Sequence, residues 1–441
     1  MHEINMKYIQ LKKHQQGLTL IELLVAAFLG LMLLGVIGSM YLTSSKGFRS
    51  TNELSLVQEN TRFALHFLNK EISQAGYSEC GINVTQDISF LEGSENSTFG
   101  GALFGWEFQS TDIGDPTYAL NYADVRDATL AEIALASASN SASPVELNSA
   151  ILPPDDPNTP ATETIVLDDF ITLNEPIRGS DVIAVVREEE MDIEVNAETM
   201  PGSDTISVTA ASETLPQRAI VKVGDCYRRD IFSKTNLSTT PGLQAAEGNG
   251  NVPRLATATT PGRNSRLTSG LADDTAFFTK RWGAANTVSN VYNDVTTLFY
   301  VGTGASGIPA LFRIRSRCGF EFAACEPGSF ETVELVEGVE NMQILYGVDL
   351  NQDGIADQYY SADEVPAPVD AYNYNGAGLS NGIDVVNVKV SLLMRSIERS
   401  AATNTDGETY TLLDNIVIDP PDDGSFRYVI NSTIELRNRA E

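Results

Sequence analysis

Histidine is scarce in this chain of 441 residues: there are three, and two of them, His2 and His14, lie within the first seventeen positions. Only His66 is left for the rest, and the sequence has no HExxH, no CxxC and no GxxxxGK[ST]. Zinc hydrolase chemistry, the usual structural zinc sets and a phosphate-binding loop therefore have no carrier here. Positive charge is also short, with 29 Lys plus Arg against 59 Asp plus Glu and a formal net charge of −30. Such a balance repels phosphate backbones and anionic headgroups, which excludes nucleic-acid binding by a broad basic surface. Proline is missing before Pro116, so nothing in the first quarter of the chain forbids a long helix.

The charge that is present is unevenly spread. Residues 1–17 carry Lys7, Lys12 and Lys13 against Glu3, a net of +2, which leaves −32 on the remainder. Leu23 to Gly38 has no polar side chain, and Leu18 to Leu42 contains the single charge Glu22. As a helix, residues 18–42 span about 37 Å, enough to cross a hydrocarbon core of about 30 Å. Lys12 and Lys13 place the leader on the cytoplasmic side. A cleaved secretory signal peptide is the alternative; its apolar core is usually shorter, and here a carboxylate sits near the start of the run. That carboxylate costs about 2.5–3.5 kcal/mol at a bilayer centre and less near the interface, so Glu22 requires a partner or an interfacial position.

Beyond Leu42 the apolar positions Phe63, Phe67, Leu68, Ile72 and Ala75 recur near a 3.6-residue period, and Gly76 stands where a helix C-cap is expected. The pattern predicts one helix from about Thr19 to Ala75, apolar all round over 18–42 and amphipathic over 43–76, followed by a body over 77–441. In that body short β-branched runs are bounded by Gly, Asn, Asp and Pro. Asp181–Arg187, Thr205–Ala210, Ala219–Val223, Val295–Val301, Ala310–Arg315, Asn341–Val348, Val385–Met394 and Tyr428–Leu436 read as strands. Without βαβ alternation the expected fold class is α+β, a long helix packed on an antiparallel sheet. The tracts 128–164 and 233–290, rich in small and polar residues, read as insertions, either loops or a second small lobe.

The string Gln16-Gly17-Leu18-Thr19-Leu20-Ile21-Glu22-Leu23-Leu24-Val25-Ala26 resembles the class III signal of type IV prepilins and of type II secretion pseudopilins. The resemblance implies that residues 1–17 are a leader cut after Gly17 by a prepilin peptidase, and that Leu18 becomes the N-methylated first residue, where the family more often has Phe. Glu22 would then pair with the terminal amine of a neighbouring subunit in the filament core, which makes it an assembly residue. The helix string Gln58-Glu59-Asn60-Thr61-Arg62-Phe63-Ala64-Leu65, the Ala75-Gly76-Tyr77 turn leading to Cys80, Gly224-Asp225-Cys226, Leu311-Phe312-Arg313, the run from Glu334 to Met342, Tyr346-Gly347-Val348-Asp349 and Leu436-Arg437-Asn438 are similar to PilW-type minor pilins. That resemblance implies a non-enzymatic subunit held in the inner membrane with a periplasmic body. It implies incorporation at or near a pilus tip, and service to adhesion, twitching motility or DNA uptake. The implied partners are other minor pilins and the major pilin, the inner-membrane assembly platform, the prepilin peptidase and a tip-associated adhesin. A secretion pseudopilin is the nearest alternative, and a membrane-anchored enzyme the alternative of a different class.

Two further expectations concern the body. Cys80, Cys226, Cys318 and Cys325 fall where disulfides persist, and three pairings are open. Cys318 with Cys325 is favoured because they flank a short segment, which leaves Cys80 with Cys226. The string Asp349-Leu350-Asn351-Gln352-Asp353-Gly354-Ile355-Ala356-Asp357 has oxygen donors and a turn glycine at calcium-loop spacing. Asp349, Asn351, Asp353, the Ile355 carbonyl and Asp357 would be the ligands of a Ca2+ ion. Position twelve is Tyr360, not the bidentate glutamate of an EF-hand, and an ion-free Asx-type turn is the alternative. The clusters Glu188 to Glu190 with Asp192 and Glu194, Asp155-Asp156, and Asp422-Asp423 read as solvated acidic faces.

Overall fold

The structure, a computed structural model, describes residues 19–79, 86–89, 103–107, 111, 116–120, 176–177, 179–193, 195, 205–206, 208, 215–217, 219–225, 228–234, 242–244, 290–318, 330–351, 353–362, 364–365, 384–397, 408–413 and 415–437. Gly17, Leu18, Cys80, Cys226 and Cys325 lie outside them, as does most of the tracts 128–164 and 233–290. Two compact units divide at Asn52/Glu53.

The first unit contains the start of α1 (Leu20–Ile72), a single helix of 53 residues. Gly30, Gly35, Gly38 and Gly47, each costing about 1 kcal/mol of helicity relative to Ala, do not interrupt it. Its hydroxyls are satisfied within the helix: Ser39 Oγ donates to the Val36 carbonyl at 2.8 Å, and Thr43 Oγ1 to that of Ser39 at 2.9 Å. The apolar side chains from Leu20 to Leu42 are exposed, Leu20 at 77% and Leu34 at 65%, and the segment is long and apolar enough to cross a membrane.

In the second unit the rest of α1 lays Val57, Ala64, Leu68 and Ile72 into the main core, with Thr61 and Glu71 on the same stripe. Phe63, expected on that stripe, is 50% exposed. The spacing 57, 61, 64, 68, 72 fixes the phase of the buried face, and Phe63 stands one residue, about 100° of rotation, away from it. After Ile72 the helix tightens into a turn that ends at Gly76, whose φ of +69° is the left-handed cap conformation.

The strands are β1 (Gln86–Ser89), β2 (Leu103–Trp106), β3 (Tyr118–Ala119), β4 (Val182–Met191), β5 (Thr205–Ile206), β6 (Ile220–Asp225), β7 (Arg228–Ser233), β8 (Leu243–Gln244), β9 (Asn290–Thr303), β10 (Pro309–Ser316), β11 (Phe330–Glu337), β12 (Val339–Asp349), β13 (Gln358–Tyr360), β14 (Asp384–Arg395), β15 (Tyr410–Leu412), β16 (Ile416–Asp419) and β17 (Arg427–Glu435). An eight-stranded sheet runs β1-β7-β6-β9-β10-β11, with β4 on the opposite flank of β9 and β2 beyond β4. The length of β9 makes this possible: residues 290–293 pair with β6 and residues 296–303 with β10, while 291–299 pair with β4. A second sheet, β13-β12-β14-β17, packs Met342, Ile344, Val388, Val390 and Leu392 into the same core as the helix. Its other face carries Leu345 and Leu393 into a smaller cluster with Leu412, Leu413, Ile416 and Ile418. Pairing is antiparallel except for β1 with β7 and β3 with β16, so the α+β expectation holds.

Residues 179–181 staple the two sheets. Asp181 donates its amide to the Met342 carbonyl at 2.8 Å, and its Oδ2 accepts the Ile344 amide at 2.7 Å. Ser180 Oγ and the Gly179 carbonyl take up Met342, Asn341 and Gln343, so β12 is satisfied where β13 does not reach.

Candidate functional site

The helix start, the joint between helix and sheet, and the loop after β12 carry the sequence-predicted chemistry. At the start, Thr19 and Glu22 form a capping box. The Thr19 amide and Oγ1 donate to Glu22 Oε2 at 2.9 and 2.8 Å, and the Glu22 amide approaches Thr19 Oγ1 at 3.4 Å. The T-x-x-E spacing is plain in the sequence, yet a reading of Glu22 as an inter-subunit partner passes over it. In the lone chain this carboxylate already has a local partner, in a segment otherwise made of exposed apolar side chains.

At the other end of α1 the chain continues as an extra edge on β4. The Gly76 amide donates to the Val186 carbonyl at 2.9 Å, and the Glu188 amide to that of Tyr77 at 2.8 Å. Asn60 Nδ2 donates to the Glu337 carbonyl at 2.9 Å, Tyr428 hydroxyl to Thr61 Oγ1 at 2.8 Å, and Arg187 Nε stands 3.2 Å from Glu71 Oε2. Beneath the joint, Glu188 is buried and accepts from Lys222 Nζ at 3.0 Å, Arg229 Nη1 at 2.9 Å and Ser78 Oγ at 3.2 Å. Lys222 also reaches Asp294 at 2.6 Å. Burial pushes the Glu188 carboxyl up, but the Lys222 and Arg229 charges outweigh it and hold it below the usual carboxylate range. For Asp294 burial wins over Lys222, and its carboxyl is raised. The expected solvated acidic face is therefore corrected at Glu188, a core ion, and at Glu189, which pairs with Arg187 and Arg315, while Glu190 and Asp192 are exposed. Strand alternation could not reveal this, because the two cations come from β6 and β7, more than thirty residues on.

A second buried network corrects the solvated reading of Asp423. Glu340 takes Arg427 in a bidentate pair at 2.6 and 3.0 Å, while Asp423 accepts from Arg395 and Arg427, each at 2.9 Å. Burial raises the Glu340 carboxyl. Burial also pushes Asp423 up, but the Ser425 amide and the two arginines bring it below its ordinary value.

The loop between β12 and β13 draws the predicted calcium residues together. Asp349, itself buried, accepts the Asn351 amide at 3.1 Å on Oδ1 and the Gly354 amide at 2.7 Å on Oδ2. Asn351 Oδ1 accepts the Asp353 amide at 3.0 Å, and Asp353 Oδ1 accepts the Ile355 amide at 2.9 Å. Asp357 closes the loop on the Leu350 amide at 2.8 Å and on Asn351 Nδ2 at 3.0 Å. Gly354 has a φ of +83°, the turn conformation that a side chain would strain. Nested Asx turns thus satisfy the loop from within, and no group of three or more His, Cys, Asp or Glu among the described residues is placed to hold a metal ion. Tyr360, at position twelve, pairs in β13 opposite Tyr346.

Cys318 is buried and disulfide-bonded. His66 lies exposed on α1 beside Phe67, ring edge to ring face at 5.9 Å.

Residues 298–438 match the Type IV Pilus-assembly protein W family, and residues 12–38 match the prokaryotic N-terminal methylation motif. The first match opens within β9 and covers β10 to β17, including the loop at 349–357 and the Glu340 network; the second brackets Gly17, Leu18 and Glu22. No curated protein and no solved structure matches the chain.

Proposed function

We propose that this PilW-type, type IV pilin-like chain is a minor pilin that waits in the inner membrane with a periplasmic body and enters the pilus at or near its tip, where it starts assembly. The observation that carries the reading is α1: one uninterrupted helix whose first part is apolar and unburied and whose second part is built into the core of the body. An exposed apolar segment of this length has to be covered by lipid or by other helices. Cleavage after Gly17 would free the Leu18 amine, and the carboxylate of Glu22 would exchange its Thr19 contacts for the amine of a neighbouring subunit. Pairing would remove two isolated charges from an apolar filament core. The partners are then other minor pilins, the major pilin, the assembly platform, the prepilin peptidase and a tip-associated adhesin; adhesion, twitching or DNA uptake would be lost with the filament. The role is mechanical and needs no catalytic residue of this chain.

Two features of the body belong to the same proposal. Cys318 pairs with Cys325 and Cys80 with Cys226, the latter fastening the segment that follows the helix. The 349–357 loop takes up a calcium ion weakly, through Asp349, Asn351, Asp353, the Ile355 carbonyl and Asp357, at the expense of some of its internal hydrogen bonds. Isothermal titration should show uptake in the millimolar range, and flat titrations there would leave an ion-free turn.

The test of the function is surface-pilus abundance by electron microscopy in a deletion strain and its complement. Loss restored by the complement is expected. Normal piliation with a fall in exported enzymes would assign the chain to a secretion pseudopilus.

A further inference from the structure

Three side chains of the large sheet converge beneath the helix joint. In the register of β6 and β9, Lys222 stands opposite Tyr292; in that of β4 and β9, Glu188 stands opposite Asp294. Asp294 is two residues on from Tyr292, so Lys222, Asp294 and Glu188 share one face of three paired strands. All three are buried. Lys222 Nζ lies 2.6 Å from Asp294 Oδ1 and 3.0 Å from Glu188 Oε2, and Arg229 of β7 also pairs with Glu188, at 2.9 Å.

An ion cluster is one outcome of such contacts, and a covalent bond is another. The second buried network, around Glu340, is built on guanidinium groups, which stay protonated and do not act as nucleophiles. Lys222 instead brings a primary amine, whose neutral form attacks carbonyl carbon. Burial disfavours the charged form of that amine. Burial also raises the Asp294 carboxyl toward its neutral acid, the form with a hydroxyl to lose, whereas Lys222 and Arg229 hold Glu188 ionised against the pull of burial and ready to accept a proton. The paired strands keep amine and carboxyl in contact, which turns an encounter in water into a reaction between fixed neighbours. In a site closed to water the product is not hydrolysed back.

We propose that Lys222 Nζ and Asp294 Cγ condense into an intramolecular amide, with Glu188 as the base. The Nζ–Cγ bond forms, and the bond from Cγ to the Asp294 hydroxyl breaks. Of the three protons on Nζ, one passes to Glu188 Oε2, one leaves with that hydroxyl as water, and one stays on the amide; nothing is oxidised or reduced. The amide ties β6 to β9 and closes a ring that contains the tract 233–290, which lowers the entropy of the unfolded chain and keeps the two strands joined when the sheet is pulled. Once it has closed, Asp294 no longer titrates, and a gain in stability on mild acidification rests on Glu340. The inference holds whatever the chain assembles into.

The test is peptide mapping by tandem mass spectrometry on the full-length protein purified from the cells that make it, denatured and with its disulfides reduced. The expected result is a branched fragment that joins the Lys222 peptide to the Asp294 peptide, lighter than the two together by one water, with no trypsin cleavage after Lys222. Lys222→Arg, which keeps the cation but not the amine, should yield linear peptides from a protein whose near-ultraviolet circular dichroism is native. Glu188→Gln should lower the branched fraction at least about tenfold, a modest part of what a positioned base contributes to a proton transfer, and Glu188→Asp, whose carboxylate stands one methylene further back, should lower it by less. Linear peptides at their sequence masses in the wild type, with Lys222 cut by trypsin, would overturn the amide and leave an ion pair. A branched fraction equal to wild type in both Glu188 variants would overturn the role of the base.

Discussion

Glu22 has one partner in the lone chain, Thr19, and a second, the amine of a neighbouring subunit, only in the proposed filament. In the lone chain it closes the helix through Thr19, which offsets part of the cost of a charge in an apolar segment. Glu22→Gln separates the two roles, since an amide oxygen still accepts from the Thr19 amide but attracts no terminal amine. The variant should be cleaved at the wild-type rate and enter pili poorly; incorporation at wild-type level would remove the charge-pair role. Gly17→Ala should instead leave the precursor mass unchanged, and a mature product from that mutant would contradict the cleavage assignment. Glu188 is the residue whose role its neighbours in sequence conceal. Glu188→Gln removes the carboxylate charge that Arg229 and Lys222 share in the core, and should cost about 3–5 kcal/mol, read as a lower urea midpoint.

At the scale of elements, the helix and the long strands were legible because their patterns are local. The helix needed only an apolar run, no proline and Gly76, and the structure starts and ends it within a turn of those signals. β4, β6, β9, β10, β12, β14 and β17 each coincide with a β-branched run, although β9 extends to fourteen residues where seven were expected. β7 and β11 escaped notice because Arg228, Arg229 and Asp230 in the one and Glu331, Glu334 and Glu337 in the other break up their apolar residues, and β2, β13, β15 and β16 because each is four residues or fewer and is held by neighbours distant in sequence. The phase of the helical stripe was misplaced at Phe63 for a related reason: a large side chain dominates a periodicity count, whereas burial follows the small Ala64 that lets the helix approach the sheet. The Asp349 string announced a turn with oxygen donors, and local spacing cannot say whether those oxygens face amides or an ion. The Gly76 joint gives a prediction at this scale. Its positive φ and its amide bond to Val186 together turn the chain onto β4, so Gly76→Ala should lower the unfolding free energy by about 1 kcal/mol while leaving helix content by circular dichroism unchanged.

The whole molecule carries a charge of −30, and its buried carboxylates respond to pH in opposite senses. Asp294 and Glu340, raised by burial, favour the folded state once protonated, so their contribution is present below the ordinary carboxylate value and is lost as pH rises through their folded values. Glu188, lowered against the pull of burial by its cations, and Asp423, lowered by the Ser425 amide and its two arginines, contribute above the ordinary value and lose that contribution as pH falls through their folded values. On acidification from neutrality the first pair takes up protons before the second, while surface carboxylates begin to shed the mutual repulsion of a strongly acidic chain. Stability should therefore rise on mild acidification, pass through a maximum on the acidic side of neutrality and above about pH 4, the ordinary carboxylate value, and fall below it. Urea midpoints measured across that range would show the maximum, and it should flatten in Glu340→Gln, where a neutral side chain already stands at one of the two raised sites. A midpoint that declines steadily from neutrality would mean that the lowered pair outweighs the raised one, and that the two buried networks are held chiefly by their charged forms.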